Sequence, residues 1–264
     1  AAAHDASRQG LGRDQAKRAA QQAMTEKSGR GERQLSVRVK TGRGRTVSQQ
    51  RWLQRQLNDP YVAKARSEGY RSRAAFKLAE IDEKYHLLKP GQRIVDLGCA
   101  PGGWLQVAAR KIGLDRGKGH IVGIDLLPVD SMAGVTLFEL DFMADEAPGL
   151  LRQALGGEAD LVLSDMAANT TGHKKTDHLK IIGLAEIAAE FAADILKPGG
   201  AFLVKLFQGG ETAELVTQLK RDFTLVRHVK PAASRADSSE LYVLATGFRR
   251  QKAHETAAGP DEAA

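Results

Sequence analysis

Residues 93 to 104, Arg-Ile-Val-Asp-Leu-Gly-Cys-Ala-Pro-Gly-Gly-Trp, run from a short apolar strand into a glycine-rich turn and on into a helical stretch, 104 to 112. A chain leaving the carboxyl end of a buried strand must turn sharply at this point. Gly98, Gly102 and Gly103 permit backbone angles and close ligand approach that a side chain would block. The helix that follows aims free amide N–H groups at whatever rests on the turn. Strand, glycine turn and helix in this order predict an open α/β sheet with a nucleotide-type ligand at the strand's carboxyl end. The spacing is not the G-x-G-x-x-G of dinucleotide enzymes, and no Lys-Ser or Lys-Thr follows as in a phosphate-cradling P-loop, so pyrophosphate is a poor fit.

The rest of the chain continues the alternation. Strands fit at 93–97, 120–125, 135–139, 160–164 and 200–207, with helical patterns at 104–112, 146–155 and 178–196 between several of them. Such alternation implies a parallel sheet covered on both faces. Lys197-Pro198-Gly199-Gly200 reads as a helix stop before a strand. Two further strands, near 222–229 and 240–247, lie too close together for a crossover helix, so the last is expected to be antiparallel and inserted into the sheet. The fold expected is Rossmann-like α/β: a doubly wound, mostly parallel seven-stranded sheet with one antiparallel strand. Ahead of it, Trp52 to Leu57 reads as a short helix punctuated by Asn58-Asp59-Pro60. Residues 61–85 read as mostly helical, with Ser72 as a cap before an apolar stripe of Phe76, Leu78, Ile81 and Tyr85.

Charge is distributed unevenly. The first 50 residues hold eleven Lys or Arg against four Asp or Glu, which accounts for the whole net charge of +7. That segment is rich in Arg, Gly, Gln and Ser, and residues 1–46 are expected to form a disordered basic arm suited to polyanions; a purely solubilising tail is the rival reading. Asp5, Asp14, Glu26 and Glu32 count against a mitochondrial transit peptide. No apolar run is long enough to span a bilayer and no signal-peptide core is present, so a bacterial cytoplasmic protein without a membrane partner is expected. The single cysteine, Cys99, excludes internal disulfides and a multi-cysteine zinc site, and reads as a small packing residue rather than a nucleophile. Residues 250–264 read as a disordered tail.

In doubly wound sheets ligands bind outside the carboxyl ends of the strands. Asp125 ends the second strand, where an acid suits a ribose diol. Asp96, inside the end of the first strand, could face a cationic ligand group. S-adenosylmethionine carries both features. Asp141 follows the third strand and can meet an adenine amino group, and Asp165 ends the fourth. Lys205, in Phe-Leu-Val-Lys-Leu-Phe, is the most anomalous charge in the chain, because a buried ammonium must be paired or surrender its proton; snorkelling to water is the alternative. Asp165 is its natural partner. A dinucleotide-dependent oxidoreductase would also show a parallel sheet and Asp125. A non-catalytic RNA-binding assembly factor would keep the arm without needing Lys205.

Six segments, in order, resemble one family: Ser-Arg-Ala-Ala-Phe-Lys-Leu at 72–78, Val-Asp-Leu-Gly-Cys-Ala-Pro-Gly-Gly-Trp at 95–104, Ile-Asp-Leu-Leu-Pro at 124–128, Leu-Ser-Asp-Met-Ala at 163–167, Val-Lys-Leu-Phe-Gln-Gly at 204–209 and Ser-Ser-Glu-Leu-Tyr at 238–242. Together they resemble the FtsJ-type (RrmJ-type) ribosomal RNA 2′-O-ribose methyltransferases. The resemblance covers roughly 47–249, which it marks as a class I methyltransferase domain. It implies a catalytic tetrad at Lys77, Asp165, Lys205 and Glu240, and a cofactor, S-adenosylmethionine, held by Gly102, Trp104, Asp125, Asp141 and Asp165. Within the tetrad, the chemistry of a ribose hydroxyl points to Lys205 as proton acceptor, with Asp165 and Glu240 orienting the two lysines; the alternative is that Lys205 stays charged and only orients the hydroxyl. It implies transfer to a uridine ribose of large-subunit ribosomal RNA, on the ribosomal subunit or its precursor, by a monomer; a tRNA ribose is the nearest alternative. The chain departs from the family at Ala168, where many relatives carry Pro, and in its long basic arm. Amine-directed methyltransferases carry an Asn-Pro-Pro-Tyr-like motif after the fourth strand, and its absence favours an oxygen acceptor. Positive charge around the site is expected from Arg66, Arg71 and Arg73, extended by Arg43, Arg45, Arg51 and Arg55, with Lys174-Lys175 in a loop over the RNA.

Overall fold

The computed structural model describes residues 46–167, 174–208, 212–235 and 238–249. Helix α1 (Val47–Leu57) belongs to a unit ending at Asn58, separate from the sheet-bearing unit that starts at Asp59. Thr46 caps it with a complete capping box, its hydroxyl accepting from the Gln49 amide while Gln49 returns the bond.

The sheet-bearing unit runs α2 (Pro60–Ser67), α3 (Ala74–Tyr85), β1 (Arg93–Leu97), α4 (Gly103–Ile112), β2 (His120–Asp125), β3 (Val135–Glu139), α5 (Ala147–Leu155), β4 (Ala159–Ser164), α6 (Lys174–Ile195), β5 (Leu196–Phe207), α7 (Ala213–Asp222), β6 (Phe223–Val229) and β7 (Glu240–Phe248). The seven strands lie in the order β3-β2-β1-β4-β5-β7-β6. β7 slots between β5 and β6 and is antiparallel to both, as the short β6–β7 connection requires. The order reverses direction between β1 and β4, the switch point at which such sheets hold ligands.

The strand faces sort by parity. Val95, Leu97, Val162, Phe202, Val204, Val243 and Ala245 pack with α5, α6 and α7 in one core. Ile94, Leu161, Leu163, Leu203, Tyr242 and Leu244 pack with α3 and α4 in the other. Side chains two residues apart on a strand share a face. Asp96, Lys205 and Glu240 therefore point toward the α3–α4 layer, and Asp165 continues the parity of β4 just beyond its end.

Residues 61–85 are mostly helical as expected, in two helices, because Asp59 and Pro60 start α2 and the chain turns through Gly69 before α3 begins. Three expectations are corrected. Ser72 does not cap α3: Arg73 holds the cap position without a side-chain bond, and the Ser72 hydroxyl lies against Gly103 instead. Strand β5 starts earlier than expected. Leu196 already pairs with Ala159, and Lys197-Pro198-Gly199-Gly200 forms a bulge before Ala201 pairs with Leu161, where Pro198 has no N–H to donate and Lys197 reaches back to Asp160. Finally, α7 was not anticipated, although Leu215 and Leu219 bury one stripe and Glu214 and Lys220 sit at the ends that favour their charges.

Candidate active site

The site forms where the carboxyl ends of β1, β4 and β5 meet α3. Parity brings four charged residues together. Lys205, 7% exposed, donates to the Asp165 backbone oxygen (2.6 Å) and pairs with Asp165 Oδ1 (3.2 Å). Lys77, buried on α3, donates to Glu240 Oε2 (2.8 Å). Ser234 donates to the other oxygen of Glu240 (2.8 Å) and fixes its orientation. Each lysine thus has its own carboxylate.

One functional residue escaped the sequence reading. Tyr242, fully buried on β7 opposite Lys205, donates its hydroxyl to Asp165 Oδ1 (2.8 Å) and accepts from Lys77 Nζ (3.2 Å). The signal was present in Ser-Ser-Glu-Leu-Tyr: two residues beyond Glu240 on a strand, Tyr242 had to share its face.

Electrostatics separate two carboxyls, Asp96 buried and Asp165 half-buried. Burial alone would raise the Asp165 carboxyl. Lys205 and Lys77, with hydrogen bonds from Tyr242 and Lys205, outweigh it and hold Asp165 below the ordinary carboxylate range. Asp96, 1% exposed, has no hydrogen-bond partner on either oxygen among the described residues. Burial, then the charges of Asp165 and Asp125, push it well above that range. Burial likewise pushes the Tyr242 phenol up, aided by Asp165 and Glu240, so it stays protonated. The Cys99 thiol is also pushed up by burial, in keeping with a packing role against Gly123.

The glycine turn adjoins these groups. Gly98 (φ +76°) leaves no room for a side chain, since a Cβ would lie 2.8 Å from Met166. Gly102 (φ +104°) is covered by Arg71. Asp125 binds the turn through both oxygens, accepting from Ala100 N (2.8 Å) and Leu127 N (2.9 Å). Asp125 and Asp141 line one cleft with Gly98, Leu126, Phe142 and Met166. The Asp141 side chain accepts from Met143 N (2.9 Å). Trp104 is placed differently from a ligand-facing residue. Its indole is buried, donates to Ala74 O (2.8 Å) and packs 5.6 Å from the Tyr242 ring, so it braces α3 against α4 and leaves its backbone at the start of α4.

The basic residues expected at the mouth are largely engaged internally. Arg73 pairs with Asp59 (3.2 Å) and donates to Ala233 O. Arg71 donates to the carbonyls of Asp130 (2.8 Å) and Ser131 (3.1 Å), clamping the segment after β2 onto the turn. Arg66 and Arg55 are exposed. Lys174-Lys175 open α6 rather than lying in a loop. Arg43, Arg45 and Ala168 lie outside the described residues, as does the Arg51 side chain.

A cleft over the glycine turn at the carboxyl ends of the strands, together with two lysine–carboxylate pairs on this strand order, is the arrangement of a Rossmann-like methyltransferase. The model of the FtsJ-like methyltransferase family matches residues 70–248. The chain belongs to that family, whose members use S-adenosylmethionine. It is 69% identical over 217 residues to ribosomal RNA large subunit methyltransferase E of Xanthobacter autotrophicus, covering 82% of this chain and 85% of that protein. It is 61% identical over 219 residues to the protein of the same name from Caulobacter vibrioides, covering 83% and 95%. A crystal structure of a ribosomal RNA methyltransferase from Plasmodium falciparum superposes with a TM-score of 0.61 at 33% identity, over 68% of this chain and 98% of that one. Among the described residues no helix is long and apolar enough to cross a membrane.

Proposed function

We propose that this enzyme methylates the ribose 2′-hydroxyl of a uridine in large-subunit ribosomal RNA, acting on the ribosomal particle. The observation that carries the reading is Lys205, buried and paired with Asp165, which Tyr242 links to the Lys77–Glu240 pair. A ribose hydroxyl is a weak nucleophile, so the site must align it and accept its proton. Bound in the cleft, S-adenosylmethionine supplies an activated methyl group on a cationic sulfur.

The residues present fit that cofactor. Gly98 and Gly102 keep the turn narrow enough for Met166 and Arg71 to pack directly on it, and Asp96 is a buried carboxyl with no hydrogen-bond partner among the described residues, a group that a cationic ligand would satisfy. Asp125 retains lone pairs for a ribose diol and Asp141 for an adenine amino group. Leu126 and Phe142 offer apolar surface to the base. The first N–H groups of α4, from Gly103 and Trp104, suit a carboxylate. On the acceptor side, Lys205, after giving its own proton to solvent, takes the 2′-hydroxyl proton on its neutral Nζ; Asp165 orients Lys205, and Lys77 with Glu240 holds the facing side of the hydroxyl's position. Residues 47–249 act as the methyltransferase domain, and the basic arm of residues 1–46 adds sequence-independent attraction to RNA phosphates.

Incubation with labelled cofactor and separate pools of tRNA, free ribosomal RNA and large subunits tests this. Label at one ribose of large-subunit RNA, strongest on the particle, is expected; label confined to tRNA or to protein overturns it. Deleting residues 1–46 is expected to weaken RNA binding and flatten its salt dependence, with an unchanged slope assigning the arm no role.

A further inference from the structure

We infer that the Tyr242 hydroxyl is a positioning group for methyl transfer, which joins the Lys77–Glu240 pair to the Asp165–Lys205 pair and sets how tightly Asp165 holds Lys205. The inference rests on Lys205 as the proton acceptor.

The hydrogen bonds leave little freedom. A lysine ammonium only donates, so in the contact with Lys77 Nζ (3.2 Å) the phenol oxygen must accept. Its single hydrogen then goes to Asp165 Oδ1 (2.8 Å). Since the phenol remains protonated, that direction is preserved while the lysines change state. Asp165 Oδ1 is the same oxygen that faces Lys205 Nζ at 3.2 Å. Tyr242 therefore competes with Lys205 for one oxygen. Tyr242 is fully buried and Lys205 nearly so, which leaves water little room to replace either donor and strengthens both bonds, although Asp165 itself is half-buried. The ring is immobilised by Trp104, whose indole is itself tied to α3 through Ala74.

Loss of the hydroxyl frees Asp165 Oδ1 for Lys205 and takes one acceptor from Lys77. Lys205 then holds its proton more firmly, and a base that holds its proton is inactive until higher pH. A phenol serving only as core packing gives the opposite expectation: its loss affects stability and leaves the pH dependence alone.

The test is single-turnover methylation against pH, at saturating cofactor and RNA, for the wild type and Tyr242→Phe. The ascending limb is expected to move about one unit toward alkaline pH, with roughly a tenfold loss of rate on that limb. KM for cofactor and for RNA should be unchanged. A second variant, with 3-fluorotyrosine placed at position 242, keeps the ring packing but makes the phenol a stronger donor, so its limb should move toward acid. This variant decides the matter should Tyr242→Phe fold poorly. A limb present in the wild type and unmoved by fluorination overturns the inference alone. A wild-type profile without an ascending limb overturns Lys205 as proton acceptor, and the inference with it.

Discussion

Around the glycine turn, the groups available to a ligand are largely main chain. Asp125 spends both oxygens on the amides of Ala100 and Leu127, and the glycines contribute by having no side chain. Around Lys205 the working groups are side chains, carried by α3, β5, β7 and the end of β4, and Lys77 is separated from Glu240 by 163 residues. The turn can be assembled by one strand–turn–helix unit. The acceptor side exists only once the sheet order is complete. Binding and chemistry should therefore be separable by mutation, and the two carboxyls show the same division: Asp96 beneath the turn is driven toward its neutral form, while Asp165 among the lysines is held ionised.

The sharpest break of this division is Lys205→Ala. Methylation at saturating substrates is expected to fall by about 10²–10⁴-fold, the usual worth of a positioned proton acceptor, while cofactor affinity measured by calorimetry stays within about twofold. Loss of cofactor binding to a similar degree would merge the two halves.

Asp125→Ala should do the reverse. Two amides lose their acceptor and the diol its partner, so cofactor affinity is expected to weaken about 10–100-fold, with RNA binding unchanged. An effect on single-turnover rate at saturating cofactor would show that the turn also shapes the chemistry.

The smallest effects concern pH and stability without ligand. Asp96 has a raised folded-state value, so the wild type loses stability as pH climbs from the ordinary carboxylate value of 3.8 through the folded value. Asp96→Asn is expected to melt roughly 2–4 °C higher than the wild type at neutral pH for each kcal/mol recovered, with the gain vanishing in acid. Asp165 is opposite in sign. Its contribution is present above 3.8 and disappears as pH falls through its lower folded value, so Asp165→Asn should melt below the wild type at neutral pH and converge with it in acid. Thermal melts across pH check both. Parallel shifts of the same sign would refute the contrast between the two carboxyls.

The geometry of the glycine turn was legible in the sequence because its determinants are local. Gly98, Gly102 and Asp125 announce themselves by position at strand ends, and β1 to β3 fall at the residues expected. The burial of Lys205 was legible as a charge in an apolar run. Grouping it with Lys77 and Glu240 needed family resemblance, since no spacing rule links residues on α3, β5 and β7. Tyr242 and α7 were missed for different reasons. The tyrosine stood within the last family segment but was given no role of its own, and the stretch between β5 and β6, where α7 forms, was assigned no element. Arg71 and Arg73 were misread because a basic residue near a site looks available until the carbonyls and carboxylate it binds are seen.

β7, inserted between β5 and β6, is the last strand of the sheet in sequence, so Glu240 and Tyr242 leave the ribosome after every other strand during synthesis. A nascent polypeptide that has emerged only through β6 already contains the complete nucleoside cradle, yet lacks the strand that partners Lys77 and divides Asp165 between two donors. Such an intermediate should capture cofactor before it can use it, and catalytic competence would arrive in one step with the docking of the final strand.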